Sequence, residues 1–180
     1  MSMKRHILSL FIVFLFLSTI VYAESDNTFV SSRYKCSIQG QPDWLMETSP
    51  QKGILVAYNH VDGYSTITLK AFTLTDVPSL NVIADKISQS DFNGWVKIGG
   101  KYGSGNDIFI TGASNKYESV YQKIFLNDKG EKSSNIAAVA YYFKNKNVYV
   151  ISATTKSFTY PSIKKDIRKM MKSFYIDENL

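Results

Sequence analysis

The sequence predicts an α+β protein in which an antiparallel β-sheet is flanked by two amphipathic helices. Three observations predict it. Most of the chain after residue 32 alternates apolar and polar residues with a period of two, which is typical of half-buried strands. Two segments change to the helical period. The strand segments follow one another closely, and sequential hairpins form antiparallel sheets on which amphipathic helices bury their apolar stripes.

The first 23 residues have the layout of a cleavable signal peptide. A basic head, Lys4 to His6, precedes an uncharged stretch from Ile7 to Val21, and Ala23 supplies a small residue at the cleavage point. The rival interpretation is an uncleaved anchor, but the uncharged stretch only reaches the lower edge of the roughly 17–25 residues that a membrane span needs. We therefore expect a bacterial protein that is exported to the periplasm, or secreted as a type II secretion substrate would be.

One domain is expected after the signal peptide. We expect residues 24–32 to be a flexible N-terminal segment, residues 33–176 to form a single domain, and residues 177–180 to be a C-terminal tail. A domain of this size buries about 68–70% of its unfolded surface, so it is stable without disulfides. Cys36 is the one cysteine of the chain and is interpreted as a buried thiol, the alternative being a reactive or intermolecular one.

The first half of the domain is predicted as strands followed by a helix. The strands are expected over Arg33–Ile38, Gly53–Tyr58 and Tyr64–Phe72. The last two flank the turn Asn59–Gly63 and form a hairpin. A turn at Pro42–Trp44 offers an aromatic ring to the edge of the core. The helix is predicted over Val77–Gln89, after a start at Asp76 and Pro78, because apolar residues recur at i, i+3, i+4 and i+7. These residues are Leu80, Ile83, Ala84 and Ile87.

The second half is predicted as five strands and a final helix. The strands are expected over Trp95–Ile98, Asp107–Thr111, Tyr117–Leu126, Ile136–Phe143 and Val148–Ala153. The segment Tyr117–Leu126 is apolar on both faces, which suits the middle of a sheet that is covered on both sides. A polar turn, Lys144–Asn147, joins the last two strands. The final helix lies within Tyr160–Ile176.

Two segments resemble a known family. Tyr34–Trp44 (YKCSIQGQPDW) resembles the opening strand and Pro-x-Trp turn of the PsbP-like fold, which is shared by a nuclear-transport factor that releases nucleotide from Ran and by DcrB-type bacterial envelope proteins. Tyr149–Ile176 resembles their last strand, aromatic-bearing loop and final helix. The chain departs from the pattern at Gly40 and Gln41, and at Asp43, where glycine is commoner.

The resemblance implies a PsbP-like α/β/α sandwich, with an antiparallel sheet between helices. It implies little about function, because members of the family do unrelated work and share no catalytic set.

Little in the sequence supports catalysis or metal binding. After residue 23 there is one histidine, His60, expected to be exposed on a turn, whereas zinc sites usually need three or four ligands. We expect no metal and no cofactor. Gly103–Gly105 lacks the spacing of a serine-hydrolase elbow. Isolated acids are expected to bond to turn backbones, namely Asp43, Asp62, Asp91 and Asp128. We therefore predict that the protein is not an enzyme, with a hydrolase centred on His60 as the remote alternative.

The glycine-rich segment Gly99–Asp107 (GGKYGSGND) has the composition of a phosphate-binding loop but not its order. Such loops precede a helix whose N-terminal amides meet the anion, whereas β-forming residues follow here. We interpret the segment as a hairpin loop. The alternative is a ligand-contacting loop, with contacts from Lys101, Tyr102, Ser104 and Asn106.

The final helix is predicted to have an apolar stripe and a basic face. At about 100° per residue, the apolar residues share an arc of about 100° and the cations an arc of about 140°. The apolar residues are Ile163, Ile167, Met170, Met171 and Phe174, and the cations are Lys164, Lys165, Arg168, Lys169 and Lys172. The stripe is wide enough to dock on a sheet. Outside this helix and the first 23 residues, acids and bases are equal in number.

The five cations either form a solvated face or bind an anionic partner. On the second interpretation the protein is a non-catalytic binding module for phospholipid or phosphoinositide head groups, or for an acidic protein or glycan surface. Each cation near an anionic membrane contributes about 1 kcal/mol, enough for peripheral contact. We do not expect nucleic acid as a partner, since the basic side lacks base-stacking aromatics. The alternative is a structural accessory subunit of an envelope or secretion assembly, docking by its sheet edge or by Tyr102, Phe158 and Tyr160.

Overall fold

The computed structural model describes residues 27–76, 79–102, 116–144 and 146–177. In chain order the elements are β1 (Thr28–Ser31), β2 (Cys36–Gln39), β3 (Trp44–Thr48), β4 (Ile54–His60), β5 (Thr66–Thr73), α1 (Leu80–Asp91), β6 (Val96–Tyr102), β7 (Lys116–Leu126), β8 (Lys132–Lys144), β9 (Asn147–Lys156), α2 (Tyr160–Ser173) and β10 (Tyr175–Ile176). Neither of the two described helices is long and apolar enough to cross a membrane.

The strands form two antiparallel sheets. The main sheet has seven strands in the order β3-β4-β5-β9-β8-β7-β6, and the small sheet has three in the order β1-β2-β10. In the main sheet, adjacent strands are consecutive in the chain except for β5 and β9, which pair with Thr66 opposite Thr154. In the small sheet, β10 pairs with the distant β2. The predicted α+β class is therefore confirmed.

Both faces of the main sheet are covered. Successive residues of a strand point to opposite faces, so β8 supplies Val139 and Tyr141 to one core and Ala140 and Tyr142 to the other. The first core contains Ile83 and its neighbours from α1, and the second contains the apolar residues of α2 and of the small sheet. The strands near the centre are consequently apolar on both sides, as in β8 and β9.

Side-chain hydrogen bonds fasten the small sheet to the rest of the molecule. The hydroxyl of Tyr58 on β4 donates to the carbonyl of Ile38 (2.9 Å) and accepts the N–H of Phe29 (3.2 Å). Ser173 at the end of α2 accepts the N–H of Gln39 (2.9 Å). The small sheet is thus a fixed layer beside α2.

Three short strands were not expected from the sequence, namely β1, β3 and β10, the last of which follows α2 at the end of the segment predicted as the final helix. The prediction that residues 24–32 are flexible is wrong for Thr28–Ser31, which pair with Cys36–Gln39 as β1. The first predicted strand begins three residues later than expected, since Lys35 adopts a positive φ of 51°. Strand β3 was missed because only Trp44 among its five residues is buried, so no alternation marks it.

Other boundaries also differ from the predictions. Helix α1 begins at Leu80 rather than at Val77. Strand β6 continues to Tyr102, so Gly99–Tyr102 belong to a strand and not to a loop. Strand β7 lies next to the edge of the sheet rather than in its middle, and Lys123, Ile124 and Leu126 in its second half are exposed. The predicted signal peptide, the predicted strand Asp107–Thr111 and residues 178–180 lie outside the described residues.

Candidate anion-binding surface

Helix α2 packs on the main sheet through its apolar stripe. Pro161 lies in its first turn, where a missing N–H costs no helical hydrogen bond. Ile163, Ile167, Met170 and Met171 are all at most 4% exposed. Phe174, just beyond the helix, is half-buried, and its ring lies 4.9 Å from that of Tyr142. The predicted stripe is therefore the buried side of the helix.

The opposite side of α2 carries the predicted cations. We call this surface the basic face and define it as Lys164, Lys165, Arg168, Lys169 and Lys172. Lys164 and Arg168 are half-buried, and the other three are exposed. All five, together with Pro161, line one open depression of about 470 Å³. The structure thus brings the five predicted residues onto one surface.

The lysines of the basic face form no ion pair with the residues that the structure describes. For the four lysines of the basic face, no carboxylate oxygen of the described residues lies within 4.0 Å of the amino nitrogen. The amino group of Lys164 lies 5.8 Å from the centre of the Tyr160 ring, a cation–π distance. Burial raises the pKa of Tyr160, although the positive charge of Arg168 acts in the opposite direction. Tyr160 therefore stays neutral, and its aromatic ring lies beside the amino group of Lys164 in the first turn of α2.

The predicted ligand-contacting loop is described only at its start. Lys101 and Tyr102 are the last residues of β6, opposite Glu118 and Tyr117 of β7. Ser104 and Asn106 lie outside the described residues.

The region around His60 does not have the geometry of a serine-hydrolase triad. His60 is not an exposed turn residue, because it ends β4 with its side chain 13% exposed and its ring 4.9 Å from that of Trp44. Its Nδ1 lies 3.2 Å from Oδ2 of Asp62, which accepts the hydroxyl of Ser65 (2.7 Å). In a catalytic triad the histidine lies between serine and aspartate. Here the aspartate lies between them, and Ser65 is 2% exposed.

The acidic residues only partly follow the turn prediction. Asp62 accepts backbone N–H groups in its turn, as expected. Asp91 instead forms an ion pair with Lys70 (2.7 Å). In the β7–β8 turn the acceptor of the backbone N–H groups is Asn127 rather than Asp128. Across residues 27–76, 79–102, 116–144 and 146–177, no three His, Cys, Asp or Glu side chains group as a metal site would require.

Two surface features were not found by sequence reasoning. An open depression of about 610 Å³ lies between the β1–β2 and β3–β4 turns, with Arg33 and Lys52 in its walls and Ala71 in its lining. The second feature is an exposed aromatic pair, in which the rings of Tyr64 and Phe158 meet edge to face at 5.7 Å. Phe158 was expected to be an aromatic loop residue, but no sequence signal links it to Tyr64.

Comparisons with known proteins show similarity of structure only. No family model matches the chain, and no curated protein matches its sequence. One similar structure is a protein from Bacteroides thetaiotaomicron, with 12% identity and a TM-score of 0.53 over 85% of this chain. The alignment spans about half of that protein, 49% of its length.

Two further structures match nearly end to end. Cyanobacterial PsbP (CyanoP) from Synechocystis is 8% identical, with a TM-score of 0.53 over 83% of this chain and 91% of the other. The Ran-binding protein Mog1p of Saccharomyces cerevisiae is 12% identical, with a TM-score of 0.54 over 83% of this chain and 94% of the other. At these identities the likeness shows a shared fold, the Mog1/PsbP-like fold, which confirms the resemblance noted in the sequence.

Proposed function

We propose that this protein, which has the Mog1/PsbP-like fold, is an exported, non-catalytic binding module that docks on anionic phospholipid surfaces through the basic face of α2. The observation that carries the proposal is the depression lined by all five cations, four of which have no carboxylate of the described residues within 4.0 Å. Surface cations usually alternate with acids, whereas here one face holds the excess positive charge of the domain.

The geometry favours peripheral contact rather than insertion of the helix. An interfacial helix buries its apolar side in the bilayer. In α2 that side is already occupied, since Ile167 and Met170 are at most 1% exposed in the core. The cations therefore meet head groups from outside. With about 1 kcal/mol from each cation, binding is moderate and depends strongly on salt, because surface charges are screened within about 10 Å at 0.1 M ionic strength.

A charge-reversal variant tests this proposal. The exported form, residues 24–180, is mixed with phosphatidylcholine vesicles with or without phosphatidylglycerol, and bound protein is measured by sedimentation. We expect binding only to the anionic vesicles. Substituting Lys165→Glu, Lys169→Glu and Lys172→Glu removes three exposed cations and should weaken binding by at least about 100-fold, since about 3 kcal/mol is lost.

A second triple variant is the matched control. Lys52→Glu, Lys86→Glu and Lys129→Glu change the net charge equally at exposed lysines away from α2. This control should retain most of the binding, whereas about 0.5 M salt should abolish that of the unmodified protein. Equal losses in the two variants, or binding that survives the salt, would show that the basic face is not the docking surface.

One observation favours the alternative of a structural accessory subunit. Strand β3 is an edge of the main sheet, with β4 as its one neighbour among the described strands, and it exposes Leu45 (65%) and Met46 (39%). An edge strand of this kind can pair with a strand from another protein. A pull-down that returns one stoichiometric protein, equally with the unmodified protein and with the basic-face variant, would support this function instead.

A further inference from the structure

An exposed aromatic pair stands at the N-terminal end of α2. Tyr64 lies in the β4–β5 turn and is 56% exposed, and Phe158 lies in the β9–α2 loop and is 71% exposed. Their rings meet at 5.7 Å with an interplanar angle of 73°. Each ring leaves most of its apolar surface in water, although the two loops are held side by side. Clustered exposed apolar side chains of this kind often mark an interaction site.

The scaffold holds both loops firmly at their bases. Strands β5 and β9 pair with Thr66 opposite Thr154, which sets the two loops next to each other. Next to this pair along the chain, the hydroxyl groups of Ser65 and Thr155 are 2.8 Å apart. On the Phe158 side, the N–H of Thr159 donates to the carbonyl of Lys156 (3.1 Å). The aromatic pair is therefore presented by an ordered frame, so little conformational entropy is lost when it binds.

The pair adjoins the basic face. Phe158 precedes Tyr160 by two residues, which limits the distance between their Cα atoms to about 7 Å. The ring of Tyr160 in turn lies 5.8 Å from the amino group of Lys164, the first cation of the basic face. Aromatic side chains favour the interface between head groups and acyl chains, and cations favour the head groups themselves. The two features are adjacent, so a membrane that contacts the aromatic pair lies close to the first cation of the basic face.

The nearby acids limit which side chains can enter a membrane. The carboxylate of Asp62 is held by the N–H groups of Tyr64 (2.8 Å) and Ser65 (3.0 Å), so it is turned into its own loop. Asp43 is exposed, and its carbonyl accepts the N–H of Val61 (3.0 Å). An anionic membrane would repel Asp43. We therefore expect Val61, whose N–H is bonded to Asp43, to remain outside the membrane.

We propose that Phe158 and Tyr64 enter the interfacial layer of an anionic membrane while the basic face binds its head groups. This inference rests on the proposed function and adds to it an apolar component of binding, which salt does not screen but which is too weak to hold the protein on vesicles without the cations. The cations supply attraction and orientation, and the rings supply burial of apolar surface.

The first test removes the two rings. We expect the double variant Phe158→Ala, Tyr64→Ala to bind phosphatidylglycerol-containing vesicles about 10-fold more weakly, since partial burial of two rings is worth about as much as full burial of one large apolar side chain. The control Val96→Ala, Ile98→Ala removes two side chains of β6 that are 67% and 53% exposed, and it should bind as the unmodified protein does. Circular dichroism checks that both variants fold, which is expected because all four side chains are exposed.

The second test places a fluorophore at position 158. Cys36 is 3% exposed and burial raises its pKa to about 11, so an added cysteine can be labelled selectively in the folded protein. A polarity-sensitive dye on Phe158→Cys should shift its emission to the blue when anionic vesicles are added. The same dye on Ser90→Cys, an exposed position of α1 behind the sheet, should not shift.

The outcomes separate the two proposals. Vesicle binding without a shift at position 158, and without weakening in the double alanine variant, overturns insertion and leaves docking by the basic face intact. Absence of any binding to anionic vesicles by the unmodified protein overturns both. A shift at 158 that also occurs with neutral vesicles shows insertion that does not need the cations, and this contradicts the arrangement proposed here.

Discussion

The carboxylate of Asp62 accepts the backbone N–H groups of Tyr64 and Ser65 and the hydroxyl of Ser65, all within 3.0 Å. Burial opposes ionisation of this group, but the hydrogen bonds and the neighbouring His60 outweigh it and lower the pKa of Asp62. The ionised carboxylate thus closes the β4–β5 turn that carries Tyr64. A single residue shapes the loop on which the proposed aromatic contact depends.

We predict that Asp62 makes the stability of the protein depend on pH in the acidic range. Its pKa is lower in the folded state than the value of about 3.9 in the unfolded chain. Its contribution is therefore complete above about pH 5 and is lost as the pH falls through the folded pKa. Asp62→Asn should lower the free energy of unfolding by about 1–2 kcal/mol at pH 7, and this difference should shrink toward pH 3.

Thermal unfolding of the two proteins from pH 7 to pH 3 measures this difference. Asp128→Asn, at an exposed position of the β7–β8 turn, is the control and should change stability little at any pH. A difference between Asp62→Asn and the unmodified protein that stays constant with pH would contradict the assigned role of the charge.

At the scale of the element, the connection from β2 to β3 requires a glycine at position 40. A Cβ at Gly40 would lie 2.7 Å from Cε1 of Tyr58 and would also collide with the amide of Asn27. That amide cannot move freely, because it donates to the carbonyl groups of Trp44 (2.7 Å) and Gln41 (3.1 Å). Gly40, one of the departures from the family pattern, therefore permits β1, the connection and β4 to pack together.

We predict that Gly40→Ala destabilises the protein by about 1–3 kcal/mol, because an added methyl group overpacks a closed site. Urea unfolding measures the effect. The control is Gly99→Ala on β6, where a Cβ would meet Val120 at an ordinary distance of 3.8 Å. That variant should be neutral or slightly more stable, since alanine restricts the unfolded chain. Equal effects of the two substitutions would contradict the packing argument.

At the scale of the whole molecule, the main sheet joins two cores into one unit. Its strands β8 and β9 alternate residues between the core under α1 and the core under α2. Each core contains or borders a tryptophan. Trp44 is 1% exposed in the core under α2, and Trp95 packs against the core under α1, with its ring 5.7 Å from that of Phe92.

We predict that the two sides unfold together. In a Trp95→Phe variant the fluorescence reports on the α2 side, and in Trp44→Phe it reports on the α1 side. Within each variant, fluorescence and circular dichroism should give the same urea midpoint, which is the mark of a two-state transition. A fluorescence change that precedes the loss of secondary structure in either variant would show that one layer detaches first.

The long strands and both helices could be predicted from the sequence because their periodicity is a local property. Strand β5 buries every second residue, β8 and β9 each contain a continuous buried run of apolar residues, and the pattern of α2 separated its buried and exposed sides correctly. The short strands carry no such pattern. Strand β10 exists because Tyr175 pairs with Ser37, and β1 exists because it pairs with β2. Their hydrogen-bonding partners, rather than their composition, make them strands.

The sequence by itself determined which five cations share a helix face, because 100° per residue fixes that arrangement wherever the helix lies. Only the tertiary structure decided that the four lysines have no carboxylate of the described residues nearby, and that Tyr64 stands against Phe158. The physical reason is that the aromatic contact depends on the pairing of β5 with β9, two strands far apart in the chain, and the surroundings of the lysines depend on where α2 packs. A periodic pattern reports how a segment buries its own residues, and it contains no information about which distant segment lies beside it.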